Sequence, residues 1–286
     1  MASPKEAKSE RKQLMTNRVS DLSNPRLAVL IDADNAPRDC LKSVMEEVAI
    51  YGTPTIKRIY GDWTSPNVGG WKGSLLENAV TPIQQYGYTT GKNSTDSAMI
   101  IDAMDILYAG KTDGFVLVSS DSDFTRLAIR LREAGMRVIG IGERKTPSPF
   151  IVACDKFVYI EVIRDRYNKE KVQELAKAAA FAPKKTNAKP AVSADKAIEK
   201  TTIRTIPDSI VALIADSVAD IADDDGACDM SYLGNLLIKK QPDFDSRNFG
   251  FGKLSSMIKA MPRFEIVLNQ TADPSNRIMY VKDKEA

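Results

Sequence analysis

The sequence has 286 residues, of which 43% are hydrophobic and 27% are charged, so its composition is that of a globular protein and not of a disordered chain. No apolar run approaches the roughly 20 residues that cross a bilayer, and the first 26 residues lack the apolar segment of a secretory signal, so we expect a cytoplasmic protein with no membrane partner. The absence of histidine excludes imidazole catalysis, and three scattered cysteines provide neither a disulfide framework nor a zinc site.

The net charge of +2 is unevenly distributed along the chain. Residues 1–26 carry +3 and residues 161–205 carry +5, whereas residues 27–160 carry −2 and residues 206–286 carry −4. We therefore expect a disordered basic tail over 1–26 and a basic flexible linker over 165–205, both attracted to polyanions. The alternative is that these segments are merely solvated spacers.

Between residues 27 and 164, apolar strand-like runs alternate with helical patterns. This alternation predicts a three-layer α/β/α domain with a parallel sheet. We expect strands at 27–32, 55–60, near Tyr88, 115–120, 137–142 and 157–161, and helices at 37–50, 72–85, 95–108 and through Arg132.

Acidic residues stand where ligands gather in such folds, outside the carboxyl ends of the strands. Asp32 ends the first strand, Asp121 and Asp123 follow a later one, and Asp96 begins a helix. Asp96 and Asp123 could instead cap helices. Converging carboxylates without His or Cys suit Mg²⁺ or Mn²⁺, and such an ion can promote phosphodiester hydrolysis without imidazole.

Other polar residues near these strand ends are candidates for the same site. Asn35 could orient a ligand or the scissile phosphate, or it could cap the following helix. Ser119 and Ser120 could donate hydrogen bonds to the aspartates.

One loop, just beyond the second strand, contains Trp63, Trp71 and Lys72. This loop could stack an unpaired RNA base, although a tryptophan there could instead pack on the domain edge.

Three separated segments, LIDADN at 30–35, NSTDSAMIIDAMDIL at 93–107 and FVLVSSDSDFTRLAIRLREAG at 115–135, occur in an order that resembles the NYN domain of the LabA-like (DUF88) group, relatives of PIN-domain nucleases. The resemblance implies a PIN-like, metal-dependent ribonuclease. It carries catalytic roles to Asp32, Asn35, Asp96, Asp121 and Asp123, with Mg²⁺ or Mn²⁺ held by the four aspartates. Asp102 matches a recurrent acidic position of the family, from which it would support the metal ligands without binding the ion itself. Lys92 stands near the position of a phosphate contact.

The last 80 residues predict a second, smaller domain over 206–286. Three helices, from Pro207, over 230–240 and over 251–260, precede two strands, which is a winged helix-turn-helix arrangement. The string LGNLLIKKQPDFDSRNFGFGKLSSMIKAMPRFEI resembles the OST-HTH or LOTUS module, which implies RNA as the ligand. We expect RNA contacts from Lys239, Lys240, Arg247, Lys253 and Lys259, although this basic surface could simply be solvated.

These features together predict a Mg²⁺- or Mn²⁺-dependent endoribonuclease whose second domain binds single-stranded or structured RNA. A non-catalytic RNA-binding protein that uses the NYN fold as a scaffold is the main alternative. A phosphatase of the haloacid dehalogenase type, with Asp32 as nucleophile and Asp34 as acid, fits less well because Ala36 stands where that motif has Thr or Val. The chain could also form a homodimer.

Overall fold

A computed structural model describes residues 24–87, 94–181, 206–223, 225–270 and 277–285. The chain divides into two compact units between Arg164 and Asp165. The predicted tail, except Asn24 to Arg26, and residues 182–205 of the predicted linker lie outside the described residues.

The first unit contains six strands and six helices among its described residues. The strands are β1 (Arg26–Asp32), β2 (Thr53–Gly61), β3 (Thr81–Gln84), β4 (Gly114–Val118), β5 (Arg137–Gly142) and β6 (Lys156–Tyr159). The helices are α1 (Leu41–Tyr51), α2 (Lys72–Asn78), α3 (Ser94–Ala109), α4 (Thr125–Glu133), α5 (Ser148–Ala153) and α6 (Ile160–Phe181), the last of which continues into the second unit.

All six strands are parallel, in the order β3-β2-β1-β4-β5-β6. Successive residues of β1 enter opposite cores, because side chains alternate along a strand. Val29 packs with Val44 of α1, whereas Leu30 packs with Met99 of α3. The sheet therefore has helices on both faces, which confirms the predicted three-layer α/β/α fold.

One stretch of the first unit differs from the sequence prediction. The helix expected over 72–85 ends at Asn78, where Ala79 takes a left-handed conformation (φ 50°), and Thr81–Gln84 forms β3 in place of the strand expected near Tyr88. Pro82 explains this ending, because a proline within a helix lacks the backbone donor and clashes with the preceding turn. Tyr88 lies outside the described residues.

The beginning of the predicted flexible linker is helical. Residues 165–181 continue α6, and this segment is rich in Ala, Lys and Glu, which have high helix propensity. The first part of the predicted linker is therefore corrected to a helix.

The second unit contains α7 (Asp208–Ile221), β7 (Ala227–Asp229), α8 (Met230–Lys240), α9 (Leu254–Lys259), β8 (Phe264–Gln270) and β9 (Arg277–Asp283). The strands pair antiparallel in the order β7-β9-β8, so the expected two-stranded wing gains a third, three-residue strand. The helices and the sheet share one core, which includes Ile214, Leu237, Met257 and Val281. The winged helix-turn-helix prediction is thus confirmed.

Candidate metal centre

The candidate site lies where the strand order of the sheet reverses, between β1 and β4. Connections run outward from β1 to β3 on one side and from β4 to β6 on the other, so the loops after β1 and β4 diverge and leave a crevice. Asp32 ends β1, and Ser119, Ser120 and Asp121 follow β4 directly. The two neighbouring strand ends therefore deliver acidic and hydroxyl side chains to the same edge.

Asp32 is 1% exposed, and both of its carboxylate oxygens accept hydrogen bonds. The backbone amides of Asp34 and Asn35 donate to Oδ1 over 3.0 and 3.3 Å. Asn35 Nδ2 and Ser119 Oγ each donate to Oδ2 over 2.8 Å. These four donors satisfy a buried carboxylate, which would otherwise be costly.

Asp96, Asp121 and Asp123 form the acidic cluster of the site. One carboxylate oxygen from each lies within 4.8 Å of the other two. Asp96 is in the first turn of α3, and Asp121 precedes the short 3₁₀ turn Ser122–Phe124, where its Oδ1 accepts the Asp123 amide over 2.9 Å. Asp121 thus caps this turn as well as contributing to the cluster.

The electrostatics of the cluster are those of crowded negative charge. The pKa of Asp96 is raised to about 6, first by partial burial and then by the charges of Asp32, Asp121, Asp123 and Asp34, in that order. Asp32 therefore acts on the cluster through its charge, while its oxygens are engaged elsewhere. A divalent cation would relieve this repulsion.

Asp34 also lies near the acidic cluster, although the sequence suggested for it only the role of the acid in a phosphatase. Burial raises its pKa, the charge of Asp32 raises it further, and a hydrogen bond from the Thr95 side chain lowers it. Thr95 immediately precedes Asp96, so Asp34 links the loop after β1 to the first turn of α3. The spacing Asp32-Ala33-Asp34 was the only sequence signal for this link.

The residues predicted to support the aspartates have distinct partners. Ser119 Oγ bridges the site by donating to Asp32 and accepting the Asp121 amide over 3.0 Å. Ser120 Oγ accepts the Glu143 amide over 2.9 Å, which ties the end of β4 to the end of β5.

Asp102 lies two turns along α3 from the cluster, and it contacts β2 instead of the aspartates. Arg58 and the buried Tyr60 both donate hydrogen bonds to it, and burial raises the pKa of Tyr60 above its usual range. Asp102 therefore anchors α3 against the sheet.

The predicted base-stacking loop places one of its two tryptophans in the core. Trp71 is 2% exposed and packs with the α1 side of the sheet, so the predicted exposed stacking ring is corrected to a core side chain. Trp63 is half-buried, and its indole N–H donates to the Ile83 carbonyl over 2.9 Å. Lys72 is exposed at the start of α2, whereas Lys92 lies outside the described residues.

The predicted RNA-binding residues of the second unit fall into two groups. Lys239, Lys253 and Lys259 are exposed. Lys240 contacts the Asp220 carboxylate over 2.5 Å, and the Arg247 guanidinium donates hydrogen bonds to the Asp245 carboxylate from Nε over 3.0 Å and from Nη2 over 2.7 Å. The charge of the second group is thus partly compensated within the domain.

The fold and site define an α/β protein with an acidic crevice at a topological switch point, followed by a winged-helix domain. Residues 26–161 match the family model of the NYN domain, and residues 201–274 match that of the OST-HTH/LOTUS domain. The chain is therefore an NYN-domain protein with a C-terminal OST-HTH/LOTUS domain.

Two solved structures resemble parts of the chain. A Vibrio parahaemolyticus protein of unknown function shares 20% identity and a TM-score of 0.42, covering 48% of this chain and 93% of its own. An uncharacterized protein from Nitrosomonas europaea shares 26% identity and a TM-score of 0.27, covering 34% of this chain and 92% of its own. No curated protein matches the chain.

Among the described residues, no helix is both long and apolar enough to span a membrane.

Proposed function

We propose that the chain is a Mg²⁺- or Mn²⁺-dependent endoribonuclease whose NYN domain hydrolyses RNA phosphodiester bonds. The observation that carries this proposal is the approach of the Asp96, Asp121 and Asp123 oxygens within 4.8 Å of one another. The NYN match supports a nuclease-type function for this crevice, and the OST-HTH/LOTUS match supports RNA as the substrate.

The donor set fits a hard divalent cation. All three groups of the cluster are carboxylates, and oxygen ligands are those that Mg²⁺ and Mn²⁺ prefer. The raised pKa of Asp96 supports this fit, because the neighbours that act on it most are themselves carboxylates. When bound there, such an ion activates a water and stabilises the negative charge of the reacting phosphate.

The chain's own residues have separable roles in this proposal. Asp96, Asp121 and Asp123 would hold the ion. Asn35 and Ser119 fix the orientation of Asp32, whose buried charge strengthens the negative potential of the crevice. Because both Asp32 oxygens already accept hydrogen bonds, this geometry favours Asp32 as an electrostatic and organising group over Asp32 as a phosphatase nucleophile.

The second domain would retain the RNA. Its exposed Lys239, Lys253 and Lys259 provide positive charge for the phosphate backbone. Tethering this domain to the NYN domain raises the effective concentration of RNA at the crevice.

The test is cleavage of single-stranded and structured RNA by the full chain with Mn²⁺ or Mg²⁺. We expect cleavage that EDTA abolishes, that Asp121→Asn and Asp123→Asn lose, and that the exposed Asp105→Asn of the same domain retains. If the chain binds RNA and cuts none of a broad substrate panel, the non-catalytic RNA-binding alternative replaces this proposal.

A further inference from the structure

A polar cavity of about 560 Å³ adjoins the acidic cluster. Ala36, Val68 and Trp71 provide apolar wall, and Asp34, Arg38 and Asp39 provide charged groups. Asp34 connects the cavity to the cluster, because its carboxylate accepts a hydrogen bond from Thr95, the residue before Asp96. The volume falls within the range of about 300 to 1,000 Å³ for ligand pockets.

The Arg38 guanidinium lies close to the backbone of Gly70. A Cβ atom built at Gly70 would lie 1.8 Å from Arg38 Nη1 and 2.9 Å from Cζ, so only glycine leaves room for this position. Within the part of the chain that the structure describes, the guanidinium has no hydrogen bond or ion pair. Its five donors are therefore available to a ligand.

The charge balance of the cavity disfavours a phosphate as its occupant. The lining includes one guanidinium and two carboxylates, of which that of Asp39 also contacts Arg164 over 3.3 Å. A neutral ligand with both acceptors and donors matches such a lining better than an anion does. A nucleobase is such a ligand, and unpaired bases in RNA are recognised on their Watson–Crick and Hoogsteen edges.

Guanine matches the lining best among the four bases. Its O6 and N7 are the acceptors that arginine contacts in pairs, and its N1–H and N2–H₂ groups are donors suited to carboxylates. Adenine offers an amino donor where guanine has O6, and the pyrimidines lack N7.

We propose that this cavity is a guanine-binding subsite, which places an unpaired guanosine of the RNA beside the acidic cluster through Arg38 and a carboxylate of Asp34 or Asp39. This assignment rests on the proposed function for its substrate, and it would make the position of cleavage depend on a neighbouring guanosine.

The two adjacent glycines of the loop provide a matched pair of variants. Gly70→Ala displaces the flexible end of Arg38, whereas a Cβ at Gly69 meets nothing within 4 Å. The probes are the 5′-monophosphates of guanosine, adenosine, cytidine and uridine, titrated into the full chain in EDTA by calorimetry or saturation-transfer NMR. They differ only in the base, and their binding requires neither the ion nor turnover.

We expect guanosine monophosphate to bind about tenfold more tightly than the other three nucleotides, a preference of the size of one good two-bond arginine contact. Gly70→Ala and Arg38→Ala should lose this preference, and Gly69→Ala should keep it. Equal binding of all four nucleotides, absence of guanosine monophosphate binding up to about 10 mM, or a preference that survives in Gly70→Ala and Arg38→Ala would overturn the subsite.

The subsite and the nuclease activity fail separately. RNA cleavage without guanine preference would remove the subsite and leave the proposed function intact. Selective guanosine monophosphate binding without RNA cleavage would support the subsite and remove the nuclease.

Discussion

Replacing Asp96 with Asn should stabilise the protein when no divalent cation is present. The pKa of Asp96 rises from 3.8 to about 6 in the folded state, because burial and four neighbouring carboxylates disfavour its charge. Above about pH 6 the folded protein therefore carries a charge that the unfolded chain accommodates more easily. Asparagine has nearly the same shape and removes this charge.

The magnitude follows from the rise of about two in the pKa of Asp96. This rise corresponds to about 3 kcal/mol of unfolding free energy, at about 1.36 kcal/mol for each unit of pKa. Because the side chain is only half-buried, solvent screening reduces this value by about half. The favourable interaction of Asp96 with the N-terminus of α3 is also lost, which removes about 0.5 kcal/mol. A net gain of about 1 kcal/mol remains.

The assay is urea unfolding in EDTA at about pH 7.5 and about pH 4. The sign depends on pH, because the folded protein binds a proton at Asp96 between pH 3.8 and about 6 that the unfolded chain lacks. The gain should therefore be complete above about pH 6 and should disappear near pH 4.

Asp105→Asn, at an exposed position of the same helix, should change the free energy of unfolding by less than about 0.5 kcal/mol. An Asp96→Asn variant that is equally stable or less stable than wild type at about pH 7.5 in EDTA would refute the reasoning.

Further predictions concern the groups around the cluster and the two cores. Mn²⁺ affinity should fall as pH drops below about 6, because protons compete with the ion for the Asp96 carboxylate. A pH-independent affinity in calorimetry would contradict this. Ser119→Ala should lower the free energy of unfolding in urea by about 2 kcal/mol, because it removes a donor to buried Asp32 and an acceptor for the Asp121 amide. Gly140→Ala should lower it by about 1 to 3 kcal/mol, because the new Cβ would lie 2.5 Å from Phe157, while Gly73→Ala, with nothing within 4 Å, should cost nothing.

The strand ends that carry the site could be predicted because two simple regularities coincide there. Apolar runs end at Asp32 and before Asp121, and parallel topology brings the carboxyl ends of strands to one edge. The approach of Asp96 to Asp121 and Asp123 agrees with that expectation. The hydrogen bonds to both Asp32 oxygens could not be predicted, because side-chain hydrogen bonds leave no periodic pattern in the sequence.

The failures have equally local causes. The helical pattern after Lys72 continued on apolar spacing, but Pro82 and the left-handed Ala79 ended it. Strand β7 has three residues, too few for a period-two pattern. Trp71 stood in a Gly-rich segment typical of an exposed loop, yet tertiary packing against the α1 side of the sheet buries it. Arg38 carried no sequence signal, because its position depends on the space over Gly70.

The most direct test of the central claim measures Mn²⁺ binding and RNA cleavage in the same titration. Electron paramagnetic resonance reports bound Mn²⁺, and single-turnover cleavage of a labelled RNA reports the rate at each Mn²⁺ concentration. We predict that binding and rate rise over the same Mn²⁺ range in wild type, and that Asp121→Asn loses both while Asp105→Asn keeps both. Cleavage that persists in Asp121→Asn, or tight Mn²⁺ binding by wild type with no cleavage of any RNA, would contradict the assignment of this cluster as a nuclease centre.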